Sequence, residues 1–270
     1  MNRLILTYNQ NCNLKCKFCY IDFHYQKIND KTLEIVKIAI DNNFNIITFG
    51  GGDSFSKKSF RDACKLAKEN KIFTHVDTNA KAIKQTDIDF INNYVDLIGI
   101  SIDSIGEKYN EFRESKKLFE KVDFILKELD KHPSNKIKIN TIVTKSNAKD
   151  IINIRNYISN FKNIKRWSLY QFFPLSAAKK YKEKYELSEY EYDEIINNLN
   201  LSELILDVEC FKFKDRVDGY LFCDEEGNIY TNNIEGDYIK LFSVFDEDAS
   251  YKFNSINEKI NPKTSVRYQI

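Results

Sequence analysis

The feature that most restricts the fold is a regular alternation up to about position 171, where short β-branched or aromatic runs are separated by longer amphipathic stretches. This alternation is typical of βαβ units around a parallel sheet. It predicts six strands, which are Leu4 to Tyr8, Ile46 to Phe49, Ile72 to Asp77, Asp96 to Ile102, Lys136 to Val143 and Arg166 to Gln171. Six such units form an α/β fold of the partial (β/α)6, TIM-like barrel type.

The amphipathic stretches predict the helices that cover the barrel. Apolar residues recur at helical spacing in the first two stretches, as Leu33, Val36 and Ile40 and as Phe60, Cys64 and Ala67. Further helices are expected over Thr86 to Asn93, Leu118 to Lys131, Ala148 to Phe161 and Ser188 to Leu199. The last of these opens with Ser188 three residues before Glu191, the spacing of a capping box.

The alternation ends after Gln171, which predicts a change of architecture. We therefore expect a barrel domain over residues 1–175 and a C-terminal extension over residues 176–270 that covers the active site. Within the extension, Tyr220 to Cys223 and Ile229 to Thr231 flank a polar turn that contains Gly227. A glycine in such a turn supplies a positive φ, so this segment predicts a β-hairpin.

Charge and hydropathy narrow the classes of partner. The chain has 41 basic and 40 acidic residues, so it lacks the excess of positive charge that is typical of proteins that bind nucleic acids directly. No apolar run approaches the roughly 20 residues that cross a bilayer, and the first ten residues lack the apolar region of a signal peptide. Three of the six cysteines crowd into one eight-residue window, unlike disulfide partners. We expect a cytoplasmic protein without a membrane partner.

The segment NQNCNLKCKFCY follows the first predicted strand and places Cys12, Cys16 and Cys19 in a CxxxCxxC arrangement. Three thiolates on one short loop can hold three irons of a 4Fe–4S cluster and leave the fourth iron open. A structural zinc site, which normally has four protein ligands, is the alternative, with His24 as the nearby candidate. Buried thiols without a metal are a further alternative.

This cysteine loop resembles that of the radical S-adenosylmethionine (SAM) superfamily, whose CxxxCxφC motif has an aromatic residue at φ, here Phe18. The resemblance implies that the amino and carboxylate groups of SAM chelate the open iron. It also implies that an electron from the cluster cleaves SAM to a 5′-deoxyadenosyl radical. The cofactors implied are one 4Fe–4S cluster and SAM, and the implied redox partner is an electron donor such as flavodoxin or ferredoxin.

Active sites of (β/α) barrels lie at the C-terminal ends of the strands, so the residues that end each strand are candidates. The resemblance assigns Gly50-Gly51-Gly52-Asp53 to the family's GGE motif, which receives the methionine ammonium group. It assigns Ser101 and Arg113 to the methionine carboxylate. The remaining cofactor candidates are Phe18, Tyr20, Thr78, Asn79, Asp103, Asn140, Tyr170 and Gln171. Alternatives are a plain tight turn for the glycines, a solvated charge for Arg113 and a helix cap for Asp103.

Two further residues are candidates for binding the substrate. In KIKINTIV the alternation places Lys138 and Asn140 on one face of the strand, where a lysine suits an anionic small-molecule substrate. Tyr220 in the extension is the other candidate.

A second cluster is not expected. Cys64, Cys210 and Cys223 have no close-spaced partners, which favours small buried side chains. In many relatives of this family the hairpin of the extension precedes auxiliary-cluster cysteines, but here the corresponding stretch is Thr231, Asn232 and Asn233.

The stretches IGISIDS, KINTIVTKSNAKD, KRWSLYQFFPL and DGYLFCDEEG resemble the viperin-type branch of the superfamily. This resemblance implies that the radical abstracts the 4′ hydrogen of a nucleoside triphosphate and gives a product used in antiviral defence. The sequence departs from that branch at Ile46 and Ser168, where the branch has lysine, and at Gly50, where it has serine. The alternatives are a radical SAM maturase of a peptide or another small metabolite, and a non-catalytic iron–sulfur and SAM-binding sensor.

Overall fold

The computed structural model describes residues 3–8, 12–21, 23 and 29–257. Within these residues the strands form one ten-stranded sheet in the order β10-β9-β8-β1-β2-β3-β4-β5-β6-β7. The strands are β1 (Arg3–Tyr8), β2 (Ile46–Gly51), β3 (Phe73–Thr78), β4 (Leu97–Ser101), β5 (Ile137–Val143), β6 (Ile164–Gln171), β7 (Asp207–Phe211), β8 (Phe222–Cys223), β9 (Asn228–Asn232) and β10 (Tyr238–Ser243).

Strands β1 to β7 pair in chain order, and every pair among them is parallel. This arrangement confirms the α/β class and the partial TIM-like barrel, and it contains all six predicted strands. The hairpin is also confirmed, because β8 and β9 are antiparallel and Gly227 between them has a φ of 87°. Strands β7 and β10 were not predicted, and β7 extends the parallel series beyond the sixth unit.

The helices lie mostly between consecutive strands of the barrel. They are α1 (Thr32–Asp41), α2 (Phe60–Glu69), α3 (Ile88–Tyr94), α4 (Glu107–Phe112), α5 (Leu118–Asp130), α6 (Ile151–Ile158), α7 (Lys182–Tyr185), α8 (Glu189–Asn197) and α9 (Ala249–Asn257). The predicted capping box is present at α8, where Ser188 Oγ accepts from the backbone N–H of Glu191 at 3.2 Å. The short helix α4 was not predicted. No helix in the described ranges is long and apolar enough to span a membrane.

The two faces of the parallel sheet differ in polarity because successive side chains of a strand point to opposite faces. The outer face packs against the helices and forms the main core, with residues such as Leu4, Leu6 and Ile139 buried. A small apolar cluster of Ile46, Phe73 and Leu97 lies inside the barrel at the N-terminal ends of the strands. Above it, the inner face carries a set of polar side chains: Arg3, Thr48, His75, Asp77, Lys138, Asn140, Arg166 and Ser168.

The three cysteines outside the loop do not all behave as expected. Cys64 and Cys223 are buried, as predicted, but Cys210 is exposed. Cys210 lies on β7, which is an edge strand of the sheet that the described residues form. The expectation of a buried side chain is therefore wrong for Cys210.

Candidate active site

A cavity of about 500 Å³ opens at the C-terminal ends of the strands and is bordered by the cysteine loop. Its volume is in the range of small-molecule sites. Of the site residues predicted from the sequence, its walls contain Cys12, Cys16, Phe18, Cys19, Tyr20, Gly50, Gly51, Gly52, Thr78, Asn79, Ser101, Asp103, Arg113, Lys138, Asn140, Tyr170 and Tyr220. Asp53 and Gln171 do not line it.

Hydrogen-bond donors surround the sulfurs of the cysteine loop. The Sγ of Cys12 lies 3.5 Å from the backbone nitrogen of Leu14 and 3.7 Å from Nδ2 of Asn79. The Sγ of Cys16 lies 3.9 Å from Nη1 of Arg113. Such donors, and the guanidinium charge in particular, stabilise sulfur in its thiolate form.

The bare cysteines are nonetheless poor thiolates. Burial raises the pKa of Cys16 to about 11 and that of Cys19 to about 12, and the charge of Arg113 only partly opposes the effect. A thiol must lose its proton to bind a metal, so ligation must supply the compensating positive charge. Any metal group held by this loop must therefore bind strongly enough to displace these protons.

Three cysteines on one loop match in number the protein ligands of a 4Fe–4S cluster with one open iron, whereas a structural zinc ion normally takes four protein ligands. Within the described ranges, no group of three Cys, His, Asp or Glu side chains is arranged around a single metal position. Cys12, Cys16 and Cys19 all border the cavity. The proposed zinc ligand His24 lies outside the described residues.

The glycine turn after β2 brings backbone to the cavity wall. Gly51 has a φ of 84°, and a Cβ at this position would come within 2.9 Å of the Cα of Thr7. The neighbouring Gly52 donates its N–H to the carbonyl of Tyr8 at 2.9 Å. The turn therefore packs directly on β1, where a side chain at Gly51 has no room, and it lines the cavity with bare backbone.

Asp53 is buried behind the cavity and connects three segments. Its Oδ1 accepts from the hydroxyl of Thr78 at 2.5 Å, and its Oδ2 accepts from Asn13 at 2.9 Å and from Ser56 at 3.2 Å. Asn13 lies in the cysteine loop and Thr78 ends β3. The carboxylate at the position that resembles the family's acidic residue thus ties the cysteine loop to the strand ends.

Arg113 follows α4 and forms a buried ion pair with Asp103. Its Nε donates to Oδ2 of Asp103 at 2.7 Å, while Oδ1 accepts from the backbone N–H of Ile142 at 2.9 Å. The guanidinium packs 5.3 Å from the ring centroid of Phe18. This arrangement fixes a cation beside the Cys16 sulfur, where a carboxylate of a bound ligand can pair with it.

Four cations of the cavity wall were missed by sequence reasoning: Lys15 and Lys17 of the cysteine loop, and Arg3 and Arg216. Arg3 lies 5.9 Å from the ring centroid of Tyr220, and Arg216 lies 5.5 Å from that of Tyr170. Lys138, which was predicted, donates to the hydroxyl of Tyr170 at 3.0 Å. All of these residues line the same cavity. Arg3 could have been found from the alternation of side chains along β1, which places it on the inner face of the barrel. Arg216 belongs to the extension, where no local sequence pattern indicates that it faces the cavity.

Asp77 is another lining residue that was not among the predicted site residues. Its Oδ1 accepts from Nδ2 of Asn140 at 2.6 Å and lies 3.1 Å from Nε2 of His75. His75 and Asp77 are two residues apart on β3, so both point into the barrel. That spacing is the signal by which the pair could have been found.

Gln171 points away from the cavity because its neighbour Tyr170 points into it. The Nε2 of Gln171 donates to the carbonyl of Leu187 at 2.9 Å, and its Oε1 accepts from the N–H of Phe213 at 3.0 Å. Both ends of its amide thus hold the extension against β6.

The sequence model of the Radical SAM superfamily matches residues 6–158. An S-adenosylmethionine-dependent nucleotide dehydratase of Lacinutrix mariniflava is 29% identical over 83% of this chain, which spans only 49% of that relative. An enzyme of the same name from Flammeovirga pacifica is 25% identical, with coverage of 84% of this chain and 81% of the relative. A GTP 3′,8-cyclase of Helicobacter pylori is 27% identical over 59% of this chain and 54% of its own length.

Two solved structures share the fold. Native anSMEcpe with bound AdoMet superposes with a TM-score of 0.73 at 18% identity, covering 100% of this chain and 84% of that chain. Streptococcus suis SuiB bound to S-adenosylmethionine gives a TM-score of 0.69 at 18% identity, over 84% and 59% of the two chains. These structures show the shared fold, and the family model that matches residues 6–158, more than half of the chain, shows that the chain belongs to the radical SAM superfamily of enzymes.

Proposed function

We propose that this radical SAM enzyme cleaves SAM reductively and abstracts a hydrogen atom from the sugar of a nucleotide. The family implies a 4Fe–4S cluster and SAM, and the three cysteines of the loop are the residues that would hold the cluster. When bound and reduced by an electron donor, this pair supplies a 5′-deoxyadenosyl radical. The chain itself supplies the position, charge and shape of the cavity in which a substrate meets the radical.

The observation that carries the nucleotide assignment is the group of cations next to aromatic rings in the lining of the cavity. Arg3, Lys138 and Arg216 line the cavity with Tyr170 and Tyr220. Guanidinium and ammonium groups bind phosphate oxygens, and the tyrosine rings add apolar edges and hydroxyl groups beside them. A ligand with an anionic end and a less polar end matches both features.

The positions at which this chain departs from the viperin-type branch have other uses here. Ile46 belongs to the apolar cluster inside the barrel, and Ser168 donates to Oε2 of Glu209 at 2.6 Å. Neither can hold a phosphate as a lysine does. Arg3 and Arg216 bring positive charge to the cavity from β1 and from the extension. We infer that these two arginines, with Lys138, contact the anionic part of the substrate.

The relatives named nucleotide dehydratase support the same substrate class. Their identity to this chain is below 30%, so the reaction is carried over to it only as a proposal. A role in antiviral defence stays a prediction, which a bacteriophage challenge of cells with and without the chain would test.

The test is anaerobic incubation of cluster-loaded protein with SAM, a reductant and each ribonucleoside triphosphate. We expect at least one nucleotide to stimulate release of 5′-deoxyadenosine and to be converted to a product that has lost water. Arg3→Gln and Lys138→Gln should raise the nucleotide concentration needed, while Lys165→Gln, at an exposed lysine, should not. Release of 5′-deoxyadenosine that no nucleotide stimulates would refute the assignment and favour the maturase alternative.

A further inference from the structure

A chain of polar side chains crosses the inner face of the barrel from β1 to β5. The Nε of Arg3 donates to Oγ1 of Thr48 at 2.9 Å, and that hydroxyl lies 3.1 Å from Nδ1 of His75. The other ring nitrogen of His75 lies 3.1 Å from Oδ1 of Asp77, which also accepts from Asn140 at 2.6 Å. We call Thr48, His75, Asp77 and Asn140, without Arg3, the Asp77 cluster.

Gly99 on β4 makes the space in which this cluster meets. A Cβ at Gly99 would overlap Oδ1 of Asp77 and would lie 2.7 Å from Nδ2 of Asn140 and 3.2 Å from Nε2 of His75. The nearest atoms to a Cβ at Gly99 are therefore those through which the cluster makes contact. The space left by the absent side chain of Gly99 is occupied by three polar groups that converge on it. Such close approach is what a glycine inside a strand often permits at a binding site.

The cluster presents hydrogen-bond acceptors to the cavity. His75 and Asn140 both contact Oδ1 of Asp77, and 34% of the Asp77 side chain remains exposed. In the part of the chain that the structure describes, Oδ1 of Asn140 is buried and has no hydrogen-bond partner, so the exposed acceptor of the cluster is the Asp77 carboxylate. An ionised carboxylate accepts hydrogen bonds and donates none, so a ligand here must bring donors.

The charge state of Asp77 supports this view. Burial alone would raise the pKa of Asp77, but His75, Lys138 and Arg3 outweigh it and hold this pKa well below its usual range. Burial also lowers the pKa of His75 to about 4, so the ring is neutral near pH 7. The carboxylate therefore stays ionised over the physiological range.

We propose that Asp77 accepts a hydrogen bond from a sugar hydroxyl of the substrate and makes the enzyme selective for hydroxylated over deoxy sugars. This inference rests on the proposed function, because it specifies how the same cavity recognises a nucleotide. Carboxylates bind ribose hydroxyls in other nucleotide sites by the same chemistry. His75 and Asn140 act as positioning residues that fix the carboxylate.

The surroundings of Asp77 favour the substrate over SAM as the source of this hydroxyl. Asn79 follows the last residue of β3 and contacts the Cys12 sulfur. Asp77 lies two residues earlier on the strand and is therefore deeper in the barrel. The cations whose charge acts on Asp77 are Lys138 and Arg3, the residues that we assign to the anionic part of the substrate. The carboxylate and the cations together match a sugar phosphate.

The experiment compares the binding of matched hydroxyl and deoxy ligands to cluster-loaded protein with SAM and no reductant. Wild-type protein should bind the preferred ribonucleotide about 10- to 100-fold more tightly than its 2′-deoxy or its 3′-deoxy analogue, as for a lost charged hydrogen bond. Equal binding of both deoxy analogues and the ribonucleotide to wild-type protein would overturn the inference without any substitution.

Asp77→Asn is the sharp variant, because the amide keeps an oxygen for His75 and Asn140 but turns an NH₂ group toward the ligand. The NH₂ group can still donate a neutral hydrogen bond to the hydroxyl, so the variant should weaken the preference for the hydroxyl to a few-fold, while the affinity for SAM stays within about twofold. Asp248→Asn, at an exposed aspartate directly before α9, should retain the full preference. An undiminished hydroxyl preference in Asp77→Asn would contradict the role of Asp77.

A second pair of ligands separates this inference from the proposed function. Ribose 5-phosphate and 2-deoxyribose 5-phosphate carry the anion and the sugar but no base. If no nucleotide binds while the first sugar phosphate binds more tightly than the second, the nucleotide assignment fails and the role of Asp77 stands. If nucleotides and their deoxy analogues bind equally, the role of Asp77 is wrong and the nucleotide assignment stands. If none of these ligands binds, both are wrong.

Discussion

The side-chain amide of Asn13 donates a hydrogen bond of 2.9 Å to Oδ2 of Asp53, which ties the cysteine loop to the segment after β2. The same carboxylate accepts from Thr78 and Ser56, and it is fully buried. Burial raises the pKa of Asp53, and these donors oppose the increase. The cysteine loop thus depends on a residue that itself does not line the cavity.

Asp53→Ala should loosen the cysteine loop and destabilise the protein. It leaves the donors of Asn13 and Thr78 without their acceptor, at a cost of about 1–3 kcal/mol per unsatisfied group. We expect a lower midpoint of unfolding and fewer irons per chain after anaerobic reconstitution. Asp62→Ala, at an exposed aspartate of α2, is the control. Unchanged iron content and stability in Asp53→Ala would show that the tie is dispensable.

Arg113→Gln should weaken SAM binding and also destabilise the fold. Removal of the guanidinium leaves Asp103 buried without its partner, which typically costs about 3–5 kcal/mol. The double variant Arg113→Gln, Asp103→Asn removes both charges and should recover much of the stability. It should not recover the affinity for SAM, measured by equilibrium dialysis without reductant. Full recovery of SAM binding in the double variant would contradict the assignment of Arg113 to the methionine carboxylate.

Two glycines on the inner face of the barrel should respond differently to alanine. At Gly99 a methyl group overlaps the Asp77 carboxylate, whereas at Gly50 its nearest neighbour is Cβ of Asp77 at 3.8 Å. Gly99→Ala should therefore cost about 1–3 kcal/mol in the free energy of unfolding, as overpacking usually does. Gly50→Ala should cost less than about 1 kcal/mol because it adds only an ordinary van der Waals contact. Denaturant titration of both variants checks the difference, and equal losses would contradict the described packing.

His75 predicts how stability depends on pH. The folded-state pKa of His75 is about 4, below its ordinary value of 6.5, because burial disfavours the charged ring. Between about pH 6.5 and pH 4, His75 therefore binds a proton in the unfolded chain but not in the folded chain. The free energy of unfolding decreases as the pH falls through this range. This one proton contributes a slope of up to about 1.4 kcal/mol per pH unit.

The measurement is the unfolding free energy of cluster-loaded protein between pH 8 and about pH 5, within the window set by the pKa of His75. His75→Gln cannot take up this proton and should show a shallower slope below pH 6.5. His132→Gln, at an exposed histidine, should retain the wild-type slope. Identical slopes in His75→Gln and wild-type protein would show that His75 does not take part in this pH dependence.

Much of the site could be predicted from the sequence because it depends on local spacing. The cysteine loop is a continuous motif, and the strand ends are marked by Gly51, Asn79 and Ser101. The parallel pairing of β1 to β6 then brings these distant segments to one cavity, as the barrel architecture requires. Lys138 was placed by the alternation of its strand.

Other parts depend on contacts that no local pattern specifies. Asp77 meets Asn140 only because β3, β4 and β5 are neighbours and Gly99 leaves room between them. Arg216 reaches the cavity through the path of the extension. Strand β7 was missed because its sequence, DVECF, is short and Phe211 is the one buried residue of the strand. The placement of Gln171 could have been foreseen, since Tyr170 and Gln171 are adjacent on a strand and cannot both face the cavity.

The most direct test of the account follows hydrogen from the substrate to the cofactor product. Cluster-loaded protein is incubated anaerobically with SAM, reductant and a ribonucleotide that carries deuterium on its sugar, and the released 5′-deoxyadenosine is analysed by mass spectrometry. The account predicts that 5′-deoxyadenosine gains one deuterium, and that replacement of Cys16 by alanine abolishes its release. Release of 5′-deoxyadenosine without deuterium from wild-type protein, or undiminished release from the Cys16 variant, would contradict it.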